Sequence, residues 1–189
     1  MDFCFSLPLK ETHHMKKILI FFVLTVFIIL SCKTNSNSAD TKKLEIAFES
    51  KSKSTVTGTA SFIEKKGIVT FVAKLSGLKP GVHAIHIHEK SDCSAADGSS
   101  AGGHWNPTFK KHGKWGVDEY HKGDIGNFTA DANGNGSITL TTNEWCIGCG
   151  DPAKDILGKG LIVHDGTDDF TTQPSGNAGA RVACSAIIK

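Results

Sequence analysis

Along this chain, apolar residues recur at every second position in a series of short runs. Leu44, Ile46 and Phe48 alternate with polar neighbours, and Val56, Gly58, Ala60 and Phe62 form a second run. Lys65-Lys66-Gly67 turns this run into a third, from Ile68 to Leu75, and Lys79-Pro80-Gly81 turns that into a fourth, from Val82 to His88. Further runs cover Ile125 to Ala130, Ser137 to Thr142, Gly160 to His164 and Arg181 to Ile188, with Asp131 to Gly136 as a turn cluster. Period-two alternation marks half-buried strands. About eight short strands with almost no helical spacing predict an all-β domain, an eight-stranded antiparallel sandwich or barrel.

Two stretches break the alternation and read as long loops, 104–124 and 165–180. Loops of this length inside a compact domain are usually functional or disordered. The first carries His104, His112, His121 and Asp124. Three imidazoles and a carboxylate suit a closed tetrahedral zinc site, and a bound ion would give the loop the core it lacks. A solvated basic loop with incidental histidines is the competing reading of this stretch alone.

Strand parity adds a second group. In the run Val82 to His88, His86 and His88 point to one face, a chelating His-x-His pair, while His83, Ile85 and Ile87 point to the other. His83 therefore reads as a buried, hydrogen-bonded histidine. Of nine histidines, His13 and His14 lie near the N-terminus, outside the predicted domain. That leaves His86, His88, His104, His112, His121 and His164, with Asp124 as a seventh ligand. Two four-coordinate sites need eight, so the count closes if one imidazole serves two ions. An imidazole-rich site suits copper, and a His3Asp site suits zinc.

The N-terminal 43 residues read differently. Met15-Lys16-Lys17 opens a basic segment, and Ile18 to Leu30 is an unbroken apolar run ending in Ser31-Cys32. This run is too short to span a bilayer and has the length of a signal-peptide core. Residues 1–31 are thus expected to be a leader, with translation starting at Met15, because Asp2 and Glu11 suit such a leader poorly. The ending Ile29-Leu30-Ser31-Cys32 resembles a bacterial lipobox, which makes Cys32 a candidate lipid-attachment site. Leu30 is bulkier than the residue usual there, so ordinary signal-peptidase cleavage stays open. Residues 32–43 read as a flexible tether, and 44–189 as the folded domain.

Taken together, His86-Ile87-His88-Glu89, Gly103-His104-Trp105-Asn106-Pro107, His112, His121-Lys122-Gly123-Asp124, Ile125-Gly126-Asn127, Val163-His164 and the run Gly176-Asn177-Ala178-Gly179-Ala180-Arg181-Val182-Ala183-Cys184 resemble copper/zinc superoxide dismutase in its bacterial exported form. The resemblance extends from about Leu44 to the C-terminus. It implies a Greek-key β-barrel and dismutation of superoxide to oxygen and hydrogen peroxide by a redox-cycling copper bridged to a structural zinc. Carried over residue by residue, copper would take His86, His88, His104 and His164. Zinc would take His104, His112, His121 and Asp124, and His104 would bridge the two and relay a proton. Asp168 matches the carboxylate that joins a copper histidine to a zinc histidine, and Arg181 the guanidinium that positions the anion. Cys93 and Cys184 match the family's disulfide.

The chain departs from the pattern in three places. Lys90 follows Glu89 where an aromatic residue and glycine are usual. The loop after His164 carries Asp165, Asp168 and Asp169 but no lysine, so electrostatic attraction of superoxide would fall to Lys90 or to Lys110, Lys111 and Lys114. The stretch from Trp145 to Pro152, with Cys146 and Cys149, has no family counterpart. After Cys4, Cys32, Cys93 and Cys184 are set aside, Cys146 and Cys149 remain as a candidate disulfide, against a redox-active Cys-x-x-Cys or half of a metal knuckle.

Net charge of +2 is too small to argue for nucleic acid or a polybasic membrane patch, so a membrane enters only through Cys32. The expected location is the periplasm or cell envelope. No interface stretch is identifiable, and monomer and homodimer both stay open. A copper- or zinc-holding module without turnover would lack a copper ligand or the arginine. A dinuclear zinc hydrolase would need bridging carboxylates, and Asp124 is the single carboxylate at metal spacing.

Overall fold

The structure is a computed structural model and describes residues 41–189. The expected leader, most of the tether and Cys32 lie outside the described residues. Strands β1 (Lys42–Ala47), β2 (Glu49–Ser50), β3 (Thr57–Lys65), β4 (Ile68–Ser76), β5 (Gly81–His88), β6 (Gly126–Ala130), β7 (Gly136–Thr142), β8 (Lys159–His164) and β9 (Arg181–Ile187) form one antiparallel sheet. One 3-10 turn, η1 (Ser99–Ala101), interrupts the loop after β5.

The strand order is β1-β3-β4-β7-β6-β5-β8-β9-β2. Because β1 and β2 are separated by Phe48 alone yet occupy opposite ends of that order, the sheet curls into a nearly closed Greek-key barrel. Closure removes the exposed edges that a flat sheet of this width would present. The eight expected strands are all present. The ninth, β2, pairs Glu49 with Cys184 and Ser50 with Ala183. The first strand also begins two residues earlier than the tether reading placed it: Lys42 and Lys43 pair with Glu64 and Ile63.

Alternation sorts the two faces. Phe62, Phe71, Ile85, Ile87, Leu161, Val163 and Ile187 fill the barrel interior, all at 0% exposure. Burying each such side chain contributes about 1.5–3 kcal/mol. His86 and His88 lie on the opposite face of β5, which the two long loops cover. A register shift between Val163 and His164 sets His164 opposite Arg181 at the end of β8. Such a bulge re-aims side chains beside a site.

Candidate metal centre

Both ends of the 104–124 loop are stitched to one residue of β5. The Trp105 N–H donates to the Ile87 carbonyl (2.8 Å), and the Ile87 N–H donates to the Gly123 carbonyl (2.9 Å). The Gly123 N–H closes the ring onto Trp105 (3.0 Å). A side chain at 123 would place its Cβ 2.1 Å from the Ile87 oxygen, so only glycine allows this approach. Farther along, the Gln173 side chain accepts from the His112 N–H (2.9 Å) and donates to its carbonyl (3.0 Å), joining the two long loops.

These connections gather two groups of buried side chains. His86, His88, His104 and His164 form one, and His104, His112, His121 and Asp124 the other; in each, one ligand atom per residue lies within 4.8 Å of the rest. His104 belongs to both. Its ring centroid is 4.1 Å from that of His86 and 5.3 Å from that of His112. All seven side chains are buried.

Hydrogen bonds fix which nitrogen each ring leaves free. A carbonyl or ionised carboxylate only accepts, so the ring atom facing it must carry the proton. His86 Nε2 donates to Asp168 (2.9 Å), His88 Nδ1 to the Gly102 carbonyl (2.9 Å) and His164 Nδ1 to the Gly179 carbonyl (3.3 Å). His112 Nε2 donates to the other Asp168 oxygen (2.9 Å). The opposite nitrogens, His86 Nδ1, His88 Nε2, His164 Nε2 and His112 Nδ1, are buried and make no hydrogen bond. His104 Nε2 and His121 Nδ1 share that condition. His112 Nδ1 and His121 Nδ1 lie 3.0 and 3.2 Å from Asp124 without hydrogen-bonding geometry. Leaving six buried nitrogens unpaired would be costly unless something else takes their lone pairs, and a metal ion is such an acceptor.

Electrostatics separates the two groups. Burial holds His88 well below the ordinary histidine range and takes His104 to about 4 and His164 to about 3, with neighbouring imidazoles adding to the effect. These rings are neutral near pH 7, as ligands must be. His112 is pulled down by burial, but the closeness of the Asp124 and Asp168 carboxylates outweighs it and raises it to about 9. Asp124 and Asp168 would be raised by burial, yet their histidine partners hold both far below the usual carboxylate range.

A cavity of about 420 Å³ opens onto His88, His104, His121, His164, Glu89 and Arg181. The Arg181 guanidinium donates to the carbonyls of Gly98 (2.8 Å) and Gly102 (2.7 Å), which fix it at the mouth. Burial lowers its pKa. Lys90, Lys110, Lys111 and Lys114 do not line this cavity. Lys110 sits 5.9 Å over the Tyr120 ring and Lys114 5.9 Å over that of Phe170.

His83 lies in the barrel wall as its parity predicts, between the carbonyls of His164 and Lys79, each 2.8 Å away. Disulfides join Cys93 to Cys184 and Cys146 to Cys149. Sequence reasoning gave no role to Asn127, whose side chain donates to the Asp168 carbonyl (2.8 Å) and accepts from its N–H (2.9 Å). Gln173 was missed as well. Both act across more than forty residues, where local pattern carries no signal.

The sequence profile described as copper/zinc superoxide dismutase (SODC) matches residues 56–187. Superoxide dismutase [Cu-Zn] 2 of Aquifex aeolicus (strain VF5) is 36% identical to the chain over 137 residues, which is 70% of this chain and 79% of that protein. An all-β barrel bearing two buried, linked histidine groups is an enzyme scaffold of this kind. The chain belongs to the copper/zinc superoxide dismutase family, whose cofactors are copper and zinc and whose reaction is the dismutation of superoxide.

Proposed function

We propose that the chain dismutates superoxide with copper held by His86, His88, His104 and His164 and zinc held by His104, His112, His121 and Asp124. The six buried ring nitrogens without hydrogen-bond partners carry this reading, because each belongs to one of the two groups. Two superoxide anions and two protons give one dioxygen and one hydrogen peroxide. When bound, copper supplies one-electron exchange with superoxide, and zinc a fixed positive charge without redox change.

The chain's own groups do the rest. Asp168, accepting from His86 and His112, keeps both rings in the tautomer that frees Nδ1. Arg181, held by two carbonyls at the cavity mouth, offers its charge to the incoming anion. His104, which lines the cavity, is the ligand suited to pass a proton into it. Loading with copper and zinc, followed by a superoxide-dependent assay, tests this: activity is expected with both metals and none with zinc alone. Tight metal binding without turnover would leave only a metal-holding module.

The proposed setting is the cell envelope, with Cys32 acylated and residues 33–41 as a spacer. One acyl chain gives marginal, reversible anchoring, whereas several give stable binding. Cys32→Ser is expected to move the mature protein from the detergent phase to the aqueous phase on phase partitioning. A native protein that is already aqueous and begins at Lys33 or later would reject the anchor.

A further inference from the structure

The connection between β7 and β8, residues 143–158, contains the stretch that the family resemblance leaves unexplained. Its first residues reach the 104–124 loop. Glu144 accepts from the Tyr120 hydroxyl (2.6 Å) and from the Lys122 ammonium. Trp145 Nε1 donates to the Lys122 carbonyl (2.8 Å). Tyr120 and Lys122 are the two chain neighbours of His121. Consecutive residues of one connection therefore hold both sides of a single candidate ligand.

That connection is itself fastened to the barrel. Trp145 is 1% exposed and packs edge-on against Phe71 and Trp115, whose rings lie 6.2 and 5.3 Å away. Immediately after it, the Cys146–Cys149 disulfide closes a tight loop. The Ile147 N–H within that loop donates to Glu64 on β3 (2.7 Å). Asp155 accepts from the N–H groups of Gly148 and Gly150 (both 2.8 Å) and of Leu157 (3.1 Å). The path from barrel wall to His121 thus runs through ordered, bonded groups.

We infer that Glu144 and Trp145 are positioning residues for His121 as a zinc ligand, with the Cys146–Cys149 loop anchoring them to β3. The inference rests on the zinc assignment made above. A ligating imidazole depends on the groups that fix its orientation, and losing one such support typically weakens metal binding roughly 10–100-fold. His86, His88 and His164 receive nothing from this strap, so its effect should fall on zinc and spare copper.

The test uses the full mature protein. Trp145→Phe keeps an aromatic ring in the core and removes the N–H together with the rest of the five-membered ring, while Glu144→Gln keeps an acceptor and removes the charge opposite Lys122. Zinc release to a chromophoric chelator is expected to be roughly tenfold faster in Trp145→Phe and up to 100-fold faster in the double variant. Copper retention should be unchanged. Cobalt(II) placed in the zinc position should show altered visible absorption bands, a readout that general destabilisation would not move. Ile46→Val, a core change on β1 opposite Ala60, should lower Tm and leave zinc release alone. The Cys146→Ser/Cys149→Ser pair should show a smaller acceleration. Unchanged zinc release and cobalt bands in the double variant, or equal loss of both metals, would overturn the inference. His121→Ala separates the two levels: if it leaves the cobalt bands intact, the zinc assignment itself falls and the strap's role falls with it.

Discussion

Replacing His104 by alanine is expected to empty both metal positions and reduce dismutation to background, whereas His164→Ala should remove copper and leave zinc near one per chain. The asymmetry follows from membership. His104 lies in both ligand groups, with Nδ1 2.8 Å from Asp124 and a partnerless Nε2 turned toward the other three histidines. His164 belongs to one group, and its ring centroid stands 6.3 Å from that of His104. Removing it leaves His104, His112, His121 and Asp124 with their bonds intact. Both variants can be made metal-free, loaded with one equivalent of each ion and analysed for metal content after desalting. Equal zinc loss in the two would sink the shared-ligand assignment, whatever the activities turn out to be.

Most of the barrel was legible because each strand has one face in the interior, and a half-buried strand writes its own period into the sequence. The same parity put His86 and His88 on one side and His83 on the other. Glu49–Ser50 left no such trace, being two exposed residues whose strand character comes from pairing with Cys184 and Ala183. Lys42 and Lys43 read as tether for a similar reason: their partners on β3 decide their conformation, not their own polarity. The ligand residues stood out by type and number. The groups that orient them did not, since Gly102 and Gly179 contribute carbonyls and any residue has one. Glu144 and Trp145 contact the loop over more than twenty residues of sequence, and nothing local marks a glutamate as a strap. Lys110 and Lys114 show the converse limit, as charge alone did not reveal that aromatic rings of the two loops would hold them.

The two disulfides are expected to differ sharply in what they contribute to stability. Cys93 and Cys184 are 91 residues apart and Cys146 and Cys149 only 3. In the chain-entropy model, closing the long loop restricts the unfolded chain by about 4–5 kcal/mol and the short one by about 2 kcal/mol. For a domain of this size 1 kcal/mol shifts Tm by roughly 2–4 °C. Cys93→Ser/Cys184→Ser should therefore lower Tm of the metal-free protein by roughly 10–20 °C, about twice the shift of the other pair. The long bond should also matter to activity. Cys184 is buried at 0% exposure against Ala101 and Ile162, and Lys51 donates to the Cys93 carbonyl, so the bond pins the loop from Glu89 to Gly102. That loop supplies the Gly98 and Gly102 carbonyls that hold Arg181. Loosening it should raise KM for superoxide and weaken copper retention while sparing zinc, because the Arg181 charge and the His88 ring would both lose the carbonyl that seats them. Thermal unfolding of the metal-free variants, paired with steady-state kinetics of the loaded ones, measures both effects. Equal Tm shifts for the two double variants would show that native-state contacts, not loop length, set the strength of these bonds.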